Sequence, residues 1–399
     1  MKNDLLHELE WRGFIYQCSD MDGLSARLNE KKMTGYWGTD PTGDSLHVGH
    51  LASLMLMRWF RNYGHRPIGL VGGATGRIGD PSMRDTSRPM LTEAQLKTNL
   101  AGLRKSITKI IGGGETLMVD NYDWSKKIGH MEWLAEYGAA FTVPHMLSME
   151  SVKKRLETGM TFLEFNYMTM QAVDFLELYR AHDCEIQFCG ADQWGNCIMG
   201  IDLIRKKMAA PAFVLSTPLI TDSRGEKIGK SAGNAVWVNE DKTTPYEYWQ
   251  YFRNVADADV EKFLKIFTEI PRDEIARLSS LRDAELNEAK KVLAFHATKI
   301  AHGEDAAVAA ERAAESVFAG DGAGAPELKI RATLPMAAID FAMLTGLFSS
   351  KTEARRTIEQ GGLSIAGSRV ASADQVVLPA PELLVQKGKK TFIKVLINN

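Results

Sequence analysis

Residues 34–63 read as a short strand, a turn rich in Gly, Pro and Asp, and an amphipathic helix. The same alternation continues to residue 222, and it constrains the fold more than any other feature. Candidate strands at 34–39, 67–72, 116–120, 185–189 and 212–216 alternate with candidate helices at 49–63, 92–110, 131–139, 162–182 and 192–207. Strands and helices that alternate across short glycine-containing turns build a parallel, doubly wound sheet. Such sheets bind ligands beyond the carboxyl ends of their strands. The turns after residues 39, 72 and 189 fall at such ends, so one shared site is expected there.

The first of these turns carries the most chemistry. His47 and His50 are three apart and share one helical face. They sit in the first turn of the helix, where unpaired backbone N–H groups and the macrodipole favour an anion. Gly49 between them lets a flat ring approach the backbone. A nucleotide with phosphates at one end fits this pattern. Zinc fits poorly, because helical metal pairs use i, i+4 spacing with an intervening glutamate. A second segment, Asp222-Ser223-Arg224-Gly225-Glu226-Lys227-Ile228-Gly229-Lys230-Ser231, follows the strand-like run Ala212–Thr221. A mobile loop with two lysines three apart suits a departing pyrophosphate. Taken alone, the first segment serves equally as surface, and the second reads better as a solvated loop.

Together, in this order, the segments resemble the two signature motifs of class I aminoacyl-tRNA synthetases. His47-Val48-Gly49-His50 resembles the HIGH element and Lys227-Ile228-Gly229-Lys230-Ser231 the KMSKS element. Further stretches narrow the resemblance to the bacterial-type tyrosyl-tRNA synthetase family. They are Tyr36–Leu51, Val71–Ser82, Asn121-Tyr122-Asp123-Trp124, Phe165–Asp174 and Gly190–Asn196. The resemblance covers nearly the whole chain. It implies a Rossmann-like α/β catalytic domain at 1–222 and a helical domain with the lysine loop at 223–318. A linker at 319–331 and an α+β, S4-like RNA-binding domain at 332–399 follow.

The resemblance also implies a two-step reaction. ATP activates tyrosine to an adenylate, and the tyrosyl group then passes to tRNA(Tyr). His47, His50 and Thr42 are assigned to the ATP phosphates. Lys227, Lys230 and Ser231 are assigned to the leaving pyrophosphate, with Arg84 and Arg88 as further cations on a second loop. Asp85 departs there from a common lysine. Tyr36 as donor and Asp174 as acceptor are assigned to the phenol. Asp80, Tyr167 and Gln171 are assigned to the ammonium group. Asp40 and Gln193 would place the activated carboxyl end, and Asp192 would accept the ribose hydroxyls. Gly38 and Gly49 give backbone access to ATP. Asn121 is the weaker transfer, since asparagine also suits a turn. Trp37 and Thr39 replace the family's commoner cysteine and phenylalanine, and the larger Trp37 lies beside the ribose region. Mg²⁺ is expected with ATP, without a dedicated protein site.

Part of this stands on chemistry alone. An aspartate on the mostly apolar helix face at 174 is costly to bury without a partner, so by itself it equally binds something, caps a local structure or faces water. Residues 167, 171 and 174 share that face. A pocket that hydrogen-bonds a phenol leaves buried groups unpaired when it meets a phenyl ring.

Composition sets the remaining bounds. The chain has 399 residues, 45% hydrophobic and 25% charged, and no apolar run of membrane-span length. The N-terminus lacks the layout of a signal or transit peptide, so a cytoplasmic location is expected. The four cysteines have no zinc-knuckle spacing and read as buried thiols. Net charge is −2, but from Arg331 onward nine Lys or Arg oppose five Asp or Glu. Segment 283–318 reads as two helices broken at His302-Gly303, and 319–326 has linker composition. The tail segment Ser350–Val370 resembles the S4 fold, with Arg355 and Arg356 on an RNA-facing basic helix. A homodimer is expected from the family, with the apolar segment 130–145 and the helix after Glu150 as interface.

Three competing readings define tests. A tryptophan-specific synthetase shares the fold, but the Tyr36/Asp174 pair and the tail oppose it. A small nucleotidyltransferase shares the histidine motif, but lacks the tail and the Ala191–Asn196 run. An RNA-binding protein with a synthetase fold would show eroded catalytic positions, and the signature positions are intact.

Overall fold

In the computed structural model the described residues are 3–82, 90–114, 116–231, 234–319, 327–331, 334–348, 350–378, 380–388 and 391–398. The chain forms two compact units: Met1–Thr244 with Tyr251–Gly303, and Pro245–Gln250 with Glu304–Asn399.

The first unit is built on a six-stranded sheet. Its strands are β1 (Gln17–Cys18), β2 (Thr34–Thr39), β3 (Arg66–Val71), β4 (Leu117–Asp120), β5 (Cys184–Gly190) and β6 (Phe213–Thr217). Their order is β1-β6-β5-β2-β3-β4. All neighbours are parallel except the edge pair β1–β6. The five parallel strands lie within a residue or two of their expected positions. The antiparallel edge strand was not foreseen, because two residues carry no periodicity. β5 and β6 are almost wholly buried, as strands covered by helices on both faces must be.

Helix Leu51–Asn62 follows β2, helix Glu93–Ile111 follows β3, and helix Trp194–Met208 follows β5. Helix Phe162–His182 starts at a capping box in which Thr161 Oγ1 and Glu164 satisfy each other's backbone N–H groups. It is apolar around much of its circumference and packs on helix Trp194–Met208. Their shared core gathers Tyr36, Phe175, Val173, Leu176, Met199 and Leu203. Fully burying each such apolar side chain contributes roughly 1.5–3 kcal/mol.

Arg12 ties the first helix, Asp4–Arg12, to the segment after helix Val260–Phe267. Its guanidinium donates to the carbonyls of Lys265, Thr268 and Ile270 at 2.8–2.9 Å and pairs with Glu8 at 2.6 Å. The face of Trp59 lies 4.1 Å away. The two helices expected across 283–318 are present as Leu286–His302 and Glu304–Ala319, with the break at Gly303.

The second unit carries helix Lys351–Glu359, whose N-terminus is capped by Ser350. Its sheet has the order 368–369, 363–365, 382–387, 391–398, 327–331. Only the last pair is parallel. Phe341, Ile358, Leu363, Val385 and Val395 fill the core between helices and sheet. The helix followed by the hairpin Leu363–Ile365/Ser368–Arg369 is the arrangement expected of the tail, and Arg355 and Arg356 are exposed on that helix.

Among the described residues no helix is long and apolar enough to cross a membrane. All four cysteines are free. Cys184, Cys189 and Cys197 are buried, and Cys18 is partly so.

Candidate active site

A cavity of about 280 Å³ lies beyond the carboxyl ends of β2 and β5. Here the winding of the sheet reverses: β3 and β4 follow on one side of β2, β5 and β6 on the other. Tyr36, Gly38, Asp40, Thr42, Gly49 and His50 line the cavity from β2 and its turn. Asp80 comes from the turn after β3, and Tyr167, Gln171 and Asp174 from helix Phe162–His182. Asp192 and Gln193 come from the turn after β5. Twelve residues singled out in the sequence therefore meet in one cavity. Trp37 and Thr39 line it too, and Trp37 is buried.

Asp174 is 3% exposed. Trp124 Nε1 donates to its Oδ1 and Asn121 Nδ2 to its Oδ2, each at 2.9 Å. Burial pushes the carboxyl up to about 7, and these two bonds work in the opposite sense. Asn121 also donates to Thr75 Oγ1 at 3.0 Å and accepts from the Ala74 N–H at 2.7 Å. Thr75 Oγ1 donates to Asp40 Oδ1 at 2.7 Å, and the Tyr167 hydroxyl donates to Asp40 Oδ2 at 2.9 Å. One chain of hydrogen bonds thus runs from Tyr167 through Asp40, Thr75 and Asn121 to Asp174.

On the opposite wall, Gln193 Nε2 donates to Asp80 Oδ2 at 2.7 Å, and the Ser82 N–H donates to Asp80 Oδ1 at 2.9 Å. Burial raises the phenols of Tyr36 and Tyr167 well above their ordinary value, so both remain hydrogen-bond donors at neutral pH. Tyr36 Oη, Gln171 Oε1 and Gln187 Oε1 are buried without a hydrogen-bond partner among the described residues. Unsatisfied polar atoms around one cavity mark where a polar ligand gains most.

Sequence reasoning undervalued Asn121 and passed over Thr75 and Gln187. Asn121 is fully buried and makes three hydrogen bonds, a larger role than a turn residue has. Gln187 had a legible signal: a glutamine inside a central, otherwise buried strand. Its register partner on β2 is Tyr36, so both side chains face the same side of the sheet.

The histidine motif forms a 3₁₀ turn, Val48–His50, before helix Leu51–Asn62. The Gly49 N–H donates to His47 Nδ1 at 3.1 Å, and the His47 N–H to His50 Nδ1 at 3.3 Å. With Nδ1 accepting, each neutral ring carries its hydrogen on Nε2, a donor suited to a phosphate oxygen. The two rings lie 4.0 Å apart.

The lysine loop packs against this turn. Gly229 has φ +85°, and a Cβ there would come within 2.8 Å of the Gly49 nitrogen. Lys227 is exposed and bridges Thr221 through its backbone. Lys230–Ser231 pairs with Asn234–Ala235, but the side chains of Lys230 and Ser231 lie outside the described structure. Arg84 and Arg88 also lie outside the described residues.

Residues 28–319 match the family of class I tRNA synthetases specific for tryptophan and tyrosine (W and Y). That leaves the amino acid open between two. The tyrosine–tRNA ligase of Caldanaerobacter subterraneus subsp. tengcongensis is 44% identical over 402 residues, spanning 98% of this chain and 99% of the relative. The chain belongs to the tyrosine–tRNA ligase family.

A truncated mitochondrial tyrosyl-tRNA synthetase from Aspergillus nidulans superposes with a TM-score of 0.71 at 30% identity, covering 79% of this chain and 94% of that one. A tryptophanyl-tRNA synthetase from Encephalitozoon cuniculi shares the fold alone, at 13% identity and a TM-score of 0.56, over 79% and 89%. As a tyrosine–tRNA ligase the chain is an aminoacyl-tRNA synthetase that charges tRNA with tyrosine, with ATP as substrate.

Proposed function

We propose that this cavity performs both steps of tyrosyl transfer with the residues named above. A carboxylate oxygen of tyrosine attacks the α-phosphorus of ATP. The new O–P bond replaces the bond to the β-phosphate, and pyrophosphate leaves. The ribose hydroxyl at the tRNA 3′ end then attacks the activated carbonyl and releases AMP. Neither step needs a covalent enzyme intermediate, so catalysis rests on positioning and on charge placed where charge develops.

The observation that carries this reading is the buried chain from Asp40 to Asp174 facing Tyr36 Oη. It offers an acceptor and a donor for a phenol at one end and carboxylates for an ammonium group nearby. Asp80, Tyr167 and Gln171 take the ammonium group, and Gln193 and Asp40 take the carboxyl end. Asp192 receives the ribose, with Gly38 and Gly49 leaving room for the nucleotide. His47, His50 and Thr42 hold the phosphates. Lys227, Lys230 and Ser231, with Arg84 and Arg88, hold the pyrophosphate as it departs. Mg²⁺ enters with the ATP phosphates.

Arg355 and Arg356 contact tRNA phosphates from the tail, which we take as a separate RNA-binding domain at 332–399, linked through 319–331 to a helical domain at 223–318 and the catalytic domain at 1–222. The enzyme acts in the cytoplasm as a homodimer. Exposed Met131, Leu134 and Val143 in segment 130–145 and Leu156 on helix Glu150–Thr158 support an apolar interface on the segments expected to form it.

The test is amino-acid-dependent exchange of labelled pyrophosphate into ATP with Mg²⁺, run over all twenty amino acids. Exchange with tyrosine alone is expected. Exchange with tryptophan instead would overturn the phenol pocket, and no exchange from folded protein would overturn the activation step.

A further inference from the structure

The lysine loop runs out and back by two arms, and the arms are held differently. The leading arm is held by the Ile228 N–H donating to the Ile220 carbonyl, Lys262 Nζ to the Thr221 carbonyl, and Ser223 Oγ to Asp259 Oδ2. The returning arm is stitched to the histidine turn itself. The Val48 N–H donates to the Val236 carbonyl at 2.9 Å, the Val238 N–H donates to the Leu46 carbonyl at 2.8 Å, and His47 bridges Trp237. The ring of His47 meets the ring of Trp237 edge-on at 5.9 Å.

This short ladder ends at Asn239, which is 2% exposed. Asn239 Nδ2 donates to the carbonyls of Asp44 at 3.0 Å and Gly102 at 3.1 Å. Its Oδ1 accepts from Ser106 Oγ at 3.0 Å, and its backbone N–H donates to Ser45 Oγ at 3.1 Å. Ser106 Oγ, itself fully buried, accepts from the Leu46 N–H at 3.2 Å. One carboxamide therefore joins three segments: the approach to the histidine motif, helix Glu93–Ile111 and the root of the lysine loop.

The helix comes very close at this point. A Cβ on residue 102 would meet the Asp44 carbonyl oxygen at 1.8 Å. Just beyond the knot, Glu240 pairs with Lys105 and Lys109 of the same helix. Both donor hydrogens and an acceptor lone pair of the Asn239 side chain are used, so its orientation is fixed by partners on two other segments.

We propose that Asn239 is a positioning residue for adenylate formation. It anchors the root of the lysine loop and sets the register of the loop's returning arm against His47 and His50. The inference rests on the proposed function, because it concerns the step in which pyrophosphate departs. It assigns the residue no contact with substrate. Loss of the knot lets the returning arm slide on the histidine turn. Displacing catalytic groups by about an ångström is enough to slow a step by about 10²-fold. Tyrosine binding and the second step draw on the Asp174 end of the cavity and on the tRNA, and neither uses the knot.

The experiment compares wild type with Asn239→Ala and Ser106→Ala. Three quantities are read: the single-turnover rate of tyrosyl-adenylate formation, tyrosine affinity, and the rate of transfer to tRNA from preformed enzyme-bound adenylate. Melting midpoints are recorded alongside. Asn239→Ala is expected to slow adenylate formation at least tenfold, with tyrosine affinity and transfer rate within twofold of wild type. Ser106→Ala is expected to show the same selectivity at a smaller amplitude, and it decides the matter if Asn239→Ala does not fold. Unchanged adenylate formation, or equal loss in all three quantities, overturns the inference. If wild type itself gives no tyrosine-dependent adenylate, the proposed function fails first, and the two failures are told apart.

Discussion

Asn121→Ala tests whether the charge of Asp174 reads the substrate phenol. The substitution removes a donor to a buried carboxylate and leaves the Ala74 N–H without its partner. A hydrogen bond to a charged group contributes about 1.5–3 kcal/mol. Its loss raises the Asp174 carboxyl further above about 7. On the acidic limb, ionisation alone therefore lowers kcat/KM for tyrosine by roughly 10- to 100-fold.

The loss is recovered as pH rises past the new value, because the carboxylate is then restored. The assay is kcat/KM for pyrophosphate exchange from pH 6 to 9.5, with phenylalanine as control. The acidic limb for tyrosine should lie near pH 7 in wild type and move to higher pH in Asn121→Ala. The phenylalanine profile should not follow it. A profile with the same limb in both proteins, or a loss that high pH does not recover, refutes the reasoning. The sign also runs through folding. The native carboxyl binds its proton more tightly than the unfolded one, so its contribution to stability is greatest below about pH 4 and falls as pH rises to about 7.

Gly229→Ala should slow adenylate formation more than it weakens tyrosine binding, since a Cβ at φ +85° would press on the Gly49 nitrogen; equal effects in stopped-flow binding and turnover would count against the contact. Gln187→Leu removes a buried acceptor without a partner and should raise stability by about 1–3 kcal/mol in urea titration while lowering tyrosine activation. A destabilised variant with normal activation would mean that the carboxamide serves the fold. Arg355→Ala with Arg356→Ala should weaken tRNA binding, lower its salt slope by about 2 and leave pyrophosphate exchange intact; an unchanged slope in filter binding removes these residues from the RNA surface.

Strand–helix alternation determines the parallel sheet and its five long strands, and the family resemblance supplies the cavity residues from Tyr36 to Gln193. These are short-range facts. Period, turn chemistry and motif spacing are written locally, and a doubly wound sheet converts strand ends into one site by topology alone. The tail's helix and hairpin were legible through its resemblance to the S4 fold. Tertiary structure alone decided which groups are satisfied and by whom. Asn121 read as a weaker site residue that also suits a turn, because its partners Asp174 and Thr75 are 53 and 46 residues away in sequence. Asn239 gave no signal at all, since its side-chain partners lie on segments 133 to 195 residues distant. The raised carboxyl of Asp174 likewise depends on burial that helix Phe162–His182 acquires only by packing. Side-chain hydrogen bonds across such separations are set by the folded arrangement, and a one-dimensional pattern records only the residues able to make them.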